Sequence, residues 1–349
     1  MAAKPADKAS DILTLSRPQV ATLSGEPWRV AMKSAIRDPL ELCRRLELPS
    51  QYATQAQLAA EKFPLFAPLE FIRRMRPGDP HDPLLRQVLP LAEECGDVSG
   101  FSEDPVGDGA AQLAPGLLRK YQSRALLLTT GACAVHCRYC FRREYPYDGL
   151  PQGETDWQPA LAALAADASI DEVLLSGGDP LTMVDHRLAE LAERLAAIPH
   201  LRRLRVHTRL PIVIPQRVTE ELLAWLTATR LAPVVVVHAN HPAELDAAVL
   251  AALARLVDAG VPVLNQAVLL RGVNDNAEVL EQLCRRLVDH RVMPYYLHQL
   301  DRVRGAAHFE VPIERGLAII AALRERLPGY AVPRYVQEIA GDASKRILA

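Results

Sequence analysis

Cys133, Cys137 and Cys140 sit together in the segment GACAVHCRYCFRR, spaced C-x3-C-x2-C. Three thiolates on one loop can hold three irons of a [4Fe–4S] cube, whereas ferredoxin-type clusters use four. The fourth iron is then open to a substrate or cofactor. A zinc knuckle is the competing chemistry, with His136 lying between the cysteines. Structural zinc takes four closed ligands in paired spacings, which this loop does not offer. The remaining cysteines, Cys43, Cys95 and Cys284, lie in apolar helical contexts and read as buried structural thiols. Clustered cysteines in a chain this long argue against a disulfide framework and for a reducing, cytoplasmic setting.

Two further features could do chemistry. Ser176-Gly177-Gly178-Asp179-Pro180 ends an apolar run, and paired glycines there let the backbone approach a ligand. An ordinary strand-to-helix turn would look the same. Lysine is scarce: only Lys4, Lys8, Lys33, Lys62, Lys120 and Lys345 occur, and none lies between 120 and 345. Lys345 follows the turn GDAS, a setting in which a lysine amine can form a Schiff base with pyridoxal phosphate. A solvated tail lysine is the plain alternative.

These residues need elements to position them. Six apolar runs read as strands: 125–130, 171–176, 204–208, 234–240, 263–269 and 293–299. Amphipathic helical stretches lie between them, and ERGLAIIAALRERL follows the last. Buried strands alternating with helices mean βαβ units and a parallel sheet. The expected fold is α/β, a partial (β/α)6 TIM-type barrel; a doubly wound open sheet is the runner-up. Cys133, Gly177–Asp179, His207–Arg209, His238, Gln266 and His298–Asp301 all fall at or just after strand ends. Barrel enzymes keep their chemistry at that end.

The barrel is expected over 116–330. An N-terminal helical region and a Gly/Asp/Pro-rich linker precede it over 1–115, and a short C-terminal cofactor-binding tail follows over 331–349. Asp38-Pro39 reads as a helix start. PLEFIRRM and DPLLRQVLPLAEE read as further short helices.

The 349 residues are 49% hydrophobic and 23% charged, and Lys+Arg 40 against Asp+Glu 42 leaves a net charge of −2. That balance is ordinary for a soluble globular protein and argues against coating a polyanion, so no nucleic-acid partner is expected. No apolar run reaches membrane-spanning length, and MAAKPADKASDILTL lacks the apolar core of a signal peptide.

With Tyr139 completing C-x3-C-x-aromatic-C, and SGGDP after the second strand, the chain resembles the radical S-adenosylmethionine enzymes. From about residue 90 to 345 it is similar to the lysine 2,3-aminomutases. RYC-FRR at 138–143, RLPIVIPQRVT at 209–219, HANHP at 238–242, NQAVLLRGVNDN at 265–276 and MPYYLHQLDRVRGAAHF at 293–309 carry that likeness. The resemblance implies three cofactors: a [4Fe–4S] cluster on Cys133, Cys137 and Cys140, S-adenosylmethionine, and pyridoxal 5′-phosphate. Tyr139, Ser176, Gly177, Gly178 and Asp179 would belong to the S-adenosylmethionine site. Lys345 matches the pyridoxal lysine. Lys120, Arg124 and Gln266 match positions around that cofactor's phosphate and ring, and His238 a position near the cofactors. Arg142 matches an arginine that pairs with the substrate carboxylate, and Asp301 an acid that holds its distal ammonium.

Clostridial-type members place a second Asp seven residues before the pyridoxal lysine and run on well beyond it. Here that position is Glu338, and four residues follow Lys345. In both respects the chain looks more like the short bacterial subgroup that makes β-lysine for modifying elongation factor P. The resemblance thus implies conversion of L-lysine to β-lysine by radical 1,2-amino migration. It also implies a low-potential, flavodoxin-like electron donor, and it allows a homo-oligomer. Four alternatives stay open: a different amino acid as substrate, a protein-bound lysine, a radical enzyme without pyridoxal phosphate in which Lys345 is a tail residue, or a non-enzymatic iron–sulfur or zinc module.

Overall fold

A computed structural model describes residues 26–150 and 157–349. The N-terminal stretch read above for a signal peptide lies outside them, as do Lys4 and Lys8.

Ten strands form one sheet in strictly sequential order. β1 (Gln112–Ala114), β2 (Leu117–Tyr121) and β3 (Arg124–Thr130) make an antiparallel meander. From β3 the pairing is parallel through β4 (Glu172–Gly177), β5 (Arg203–Thr208), β6 (Ala232–Val237), β7 (Val263–Val268), β8 (Met293–His298) and β9 (Arg334–Gln337). β10 (Arg346–Ile347) returns antiparallel beside β9. A doubly wound sheet reverses strand order at a switch point. This one never reverses, which is the order of a partial barrel. The six strands expected from sequence are β3 to β8, and the sheet continues past them at both margins.

The helices cover the outer face. α1 (Pro27–Lys33), α2 (Pro39–Arg45), α3 (Ser50–Lys62) and α4 (Leu69–Ile72) form the N-terminal part. α5 (Gln158–Ala166), α6 (Asp185–Ala196), α7 (Leu210–Val213), α8 (Glu220–Thr227), α9 (Ala247–Asp258), α10 (Ala277–Asp289) and α11 (Ile313–Arg326) link and follow the parallel strands. In α6, Leu188, Leu191, Ala192 and Leu195 are buried, one face of a 3.6-residue repeat. Asp38, Thr219, Asp246 and Asn276 each cap the following helix through a side-chain oxygen. The segment DPLLRQVLPLAEE forms two 3-10 turns, Leu85–Gln87 and Ala92–Cys95, because prolines interrupt the α pattern. Cys43 and Cys284 are buried as expected; Cys95, at the end of the second turn, is only half-buried. No helix among the described residues is long and apolar enough to cross a membrane.

Candidate active site

Every residue singled out from the sequence for the site lines one cavity of about 360 Å³ at the C-terminal ends of the parallel strands. The cysteines hold one side. Burial pushes the Cys140 thiol up to about 11 and the Cys133 thiol well above its usual value. A thiolate here therefore needs a cation to hold it. Among the described residues, no three His, Cys, Asp or Glu side chains gather closely enough to hold one metal ion. A single zinc would need its ligands gathered about one point. A cube gives each thiolate its own iron and spreads them apart. His136 Nδ1 meets the Pro64 carbonyl at 2.8 Å, and its ring stacks on Phe63.

The N-terminal part cradles this loop. The His136 amide donates to Phe66 O at 2.9 Å and the Arg138 amide to Gln87 O at 2.9 Å. Arg138, fully buried, donates to both Glu94 carboxylate oxygens, and Arg143 pairs with Glu94 at 2.9 Å. This is a structural role for a region that carries no chemical motif.

The glycine turn after β4 meets the same loop from inside. A Cβ on Gly178 would lie 2.1 Å from Ala132 O, and one on Gly177, at φ +130°, 2.4 Å from Thr130 O. The close approach these glycines permit is thus to the backbone leading into Cys133. Asp179 is buried and spent within the protein. It accepts from Thr208 Oγ1 and from the amides of Leu181, Arg209 and Leu210. The Tyr139 hydroxyl accepts from Asn240 at 2.6 Å.

Lys345 holds the other side. The turn GDAS, with Gly341 at φ +85°, folds β10 back on β9, so that Lys345 pairs with Glu338. Burial works against the Glu338 charge, but Lys345, Tyr121 and Lys120 together hold the carboxyl below its usual range. Glu338 also accepts from Tyr121 at 2.6 Å and lies 3.8 Å from Lys120. Arg124 stacks over the Tyr121 ring, 4.2 Å away. His238, His207 and His298 line the cavity between, each with a buried Nε2 that meets no partner among the described residues. Burial holds all three neutral, His238 at about 4. Two cations and three unpaired imidazole nitrogens suit a phosphorylated aromatic cofactor beside Lys345.

Asp108 was missed by sequence reasoning, since it lies in the stretch read as a linker. Its carboxylate binds Arg142 Nε at 2.6 Å and Lys120 at 2.7 Å. Burial opposes its charge, yet these two cations hold its carboxyl below the usual range. Arg142 also donates to Ser176 Oγ at 3.3 Å, leaving N–H groups over for a ligand carboxylate. Asp301 is pushed up to about 7, chiefly by burial and against the pull of Lys345.

Residues 127–284 match the radical SAM superfamily. The chain is 47% identical over 338 residues to an L-lysine 2,3-aminomutase of Escherichia coli, spanning 97% of each chain. It is 45% identical to the Haemophilus influenzae protein of that name, over 92% of this chain and 95% of the other. It belongs to the L-lysine 2,3-aminomutase family. A Clostridium subterminale member is 35% identical over 91% of this chain but only 76% of its own length. The family's cofactors are the [4Fe–4S] cluster, S-adenosylmethionine and pyridoxal 5′-phosphate. The cavity has donors for each.

Proposed function

We propose that this chain converts L-α-lysine to β-lysine by radical 1,2-amino migration, and that the product serves the modification of elongation factor P in the cytoplasm. One observation carries the reaction. A single cavity has the three cysteines on one side, the Lys345–Glu338 pair on the other, and Arg142 and Asp301 among its walls. Its similarity over nearly the whole length of the Escherichia coli and Haemophilus influenzae relatives supports the short-subgroup reading.

When bound, the cluster and S-adenosylmethionine supply a carbon radical, and pyridoxal phosphate supplies the π-system through which nitrogen moves. The chain's own residues position and exclude. Cys133, Cys137 and Cys140 ligate the cluster, with Tyr139 and the turn from Ser176 to Asp179 framing the S-adenosylmethionine beside it. Lys345 would hold pyridoxal phosphate through its side-chain amine. Lys120, Arg124, Gln266 and His238 surround that cofactor. Arg142 receives the substrate carboxylate as a bidentate donor. Asp301 and Glu338 receive the distal ammonium. Anchoring both ends sets which carbon faces the radical; a slip of one carbon would present the wrong hydrogen. Two carboxylates at the distal end favour a cationic side chain over that of glutamate.

The test is anaerobic. The protein is reconstituted with iron and sulfide, then given pyridoxal phosphate, S-adenosylmethionine, a low-potential one-electron reductant and L-lysine. β-Lysine by mass spectrometry is the expected result. 5′-Deoxyadenosine without β-lysine would overturn free lysine as substrate and turn attention to other amino acids and protein-bound lysine. Neither product, from protein shown to hold iron and sulfide, would overturn the reading as a whole.

A further inference from the structure

Arg209 stands just past β5, and nothing in the reaction outlined above uses it. Its Nη1 lies 2.7 Å from Cys137 Sγ. The contact is built rather than incidental. Nη2 donates to Gln87 Oε1 at 2.6 Å and to Glu244 Oε2 at 2.9 Å, and both partners are fully buried. Phe71 and Tyr139 flank the guanidinium, 5.3 and 5.7 Å away. The Arg209 amide donates to Asp179 at 2.7 Å, so the turn after β4 fixes the backbone as well. Glu244 is itself pinned by the Asn240 and His241 amides. The guanidinium thus has one orientation, and it points one N–H at a cysteine sulfur.

We propose that Arg209 is a positioning residue for the iron–sulfur cluster: its hydrogen bond to Cys137 Sγ sets how readily the cluster takes up an electron. The inference rests on the cluster reading given above. Reduction adds one electron, and so one negative charge, to the cluster and its thiolates. A buried N–H donor aimed at a ligand sulfur stabilises the reduced form more than the oxidised one, because the sulfur carries more charge after reduction. In a low-dielectric cavity wall that difference is not screened away. Glu244 balances the arginine charge through Nη2, which leaves Nη1 for the sulfur.

The experiment compares the full chain with Arg209→Gln and Arg209→Lys, each reconstituted anaerobically with iron and sulfide. Metal and sulfide content are measured first. The midpoint potential then comes from a redox titration followed by electron paramagnetic resonance of the reduced cluster. Arg209→Gln should load a cluster whose potential is more negative. At the poise that half-reduces the wild type, its ratio of reduced to oxidised cluster should fall about tenfold, equivalent to about 59 mV for one electron. Arg209→Lys cannot serve the sulfur, Gln87 and Glu244 together, so it should shift the same way by less. A loaded Arg209→Gln cluster with the wild-type potential would show that Arg209 merely braces the loop. If Arg209→Gln fails to load, Arg209→Lys decides, and a wild-type potential there overturns the proposal. Wild-type protein that takes up no iron and sulfide would sink the cluster reading instead, and this inference with it.

Discussion

Tyr121 donates a 2.6 Å hydrogen bond to Glu338, 217 positions further along the chain. Tyr121 ends β2, and Glu338 follows β9, so the contact ties the two margins of an open sheet together. The other Glu338 oxygen pairs with Lys345. One carboxylate therefore orients Lys345 and is itself oriented from the opposite margin.

Removing the tyrosine hydroxyl should loosen that arrangement without emptying the cluster site. Tyr121→Phe is expected to cost about 1.5–3 kcal/mol, the usual range for a hydrogen bond to a charged group. Pyridoxal phosphate absorbance should fall while iron content holds. Lys345→Ala should abolish β-lysine and keep full iron and sulfide; retained turnover would remove Lys345 from its assigned role.

Asp301 makes the site pH-dependent. Burial, the largest cause, raises its carboxyl to about 7. To hold a substrate ammonium it must be ionised, so kcat/KM for lysine should rise as pH climbs through about 7. Asp301→Asn should flatten that rise. Stability runs the other way. A folded-state value above the unfolded one favours the protonated, folded protein at low pH. The contribution is complete below the ordinary carboxyl value and is lost as pH rises through about 7. Steady-state kinetics across pH 5–8 check the first sign, and denaturation midpoints over the same range check the second.

Glu94 balances two buried guanidiniums, Arg138 and Arg143. Deleting it takes from Arg138 the carboxylate that pairs it and leaves Arg143 with Glu144, 3.8 Å away. Glu94→Ala is expected to destabilise the fold by about 3–5 kcal/mol. Because both arginines flank the cysteines, iron uptake should fall with it. Chemical denaturation and iron analysis on one preparation would show whether the two losses track each other.

Gly178→Ala tests the close approach of the glycine turn to the cysteine loop. The new Cβ meets backbone, not a flexible side chain, so one of the two segments must move. Overpacking of this kind costs about 1–3 kcal/mol. Iron content should drop more sharply than melting temperature. A variant that loads iron normally would show that the turn has room to give.

Much of this was legible in the sequence, for physical reasons. Apolar runs alternating with helical stretches located β3 to β8, because a sheet buried on both faces cannot hide its composition. Polar residues at strand ends placed one cavity, because the chain direction of parallel strands sends those ends to one side. What stayed hidden depends on contacts between distant segments. Asp108 gives no periodic signal, and its stretch looks like a linker until Arg142 and Lys120 are folded onto it. Glu94, Gln87 and Glu244 sit in ordinary helical or turn contexts, and only the fold brings them under the cysteine loop. β9 and β10 are too short to stand out from turns. The glycines of SGGDP were visible, but nothing local says that the surface they approach is Ala132 and its neighbours.

The two cavity walls differ in how they come apart. Around the cysteines, opening would expose a buried carboxylate, two guanidiniums and the backbone pairing of the N-terminal cradle. Around Lys345, β1 and β10 share no ladder, and Glu338 joins the margins through side chains alone. Separation there leaves every strand pairing intact. Amide exchange should accordingly be slow near Cys137 and fast near Lys345. The cavity is built like a vice with unequal jaws: the cysteine wall is braced by buried ion pairs, and the Lys345 wall is closed by side-chain contacts.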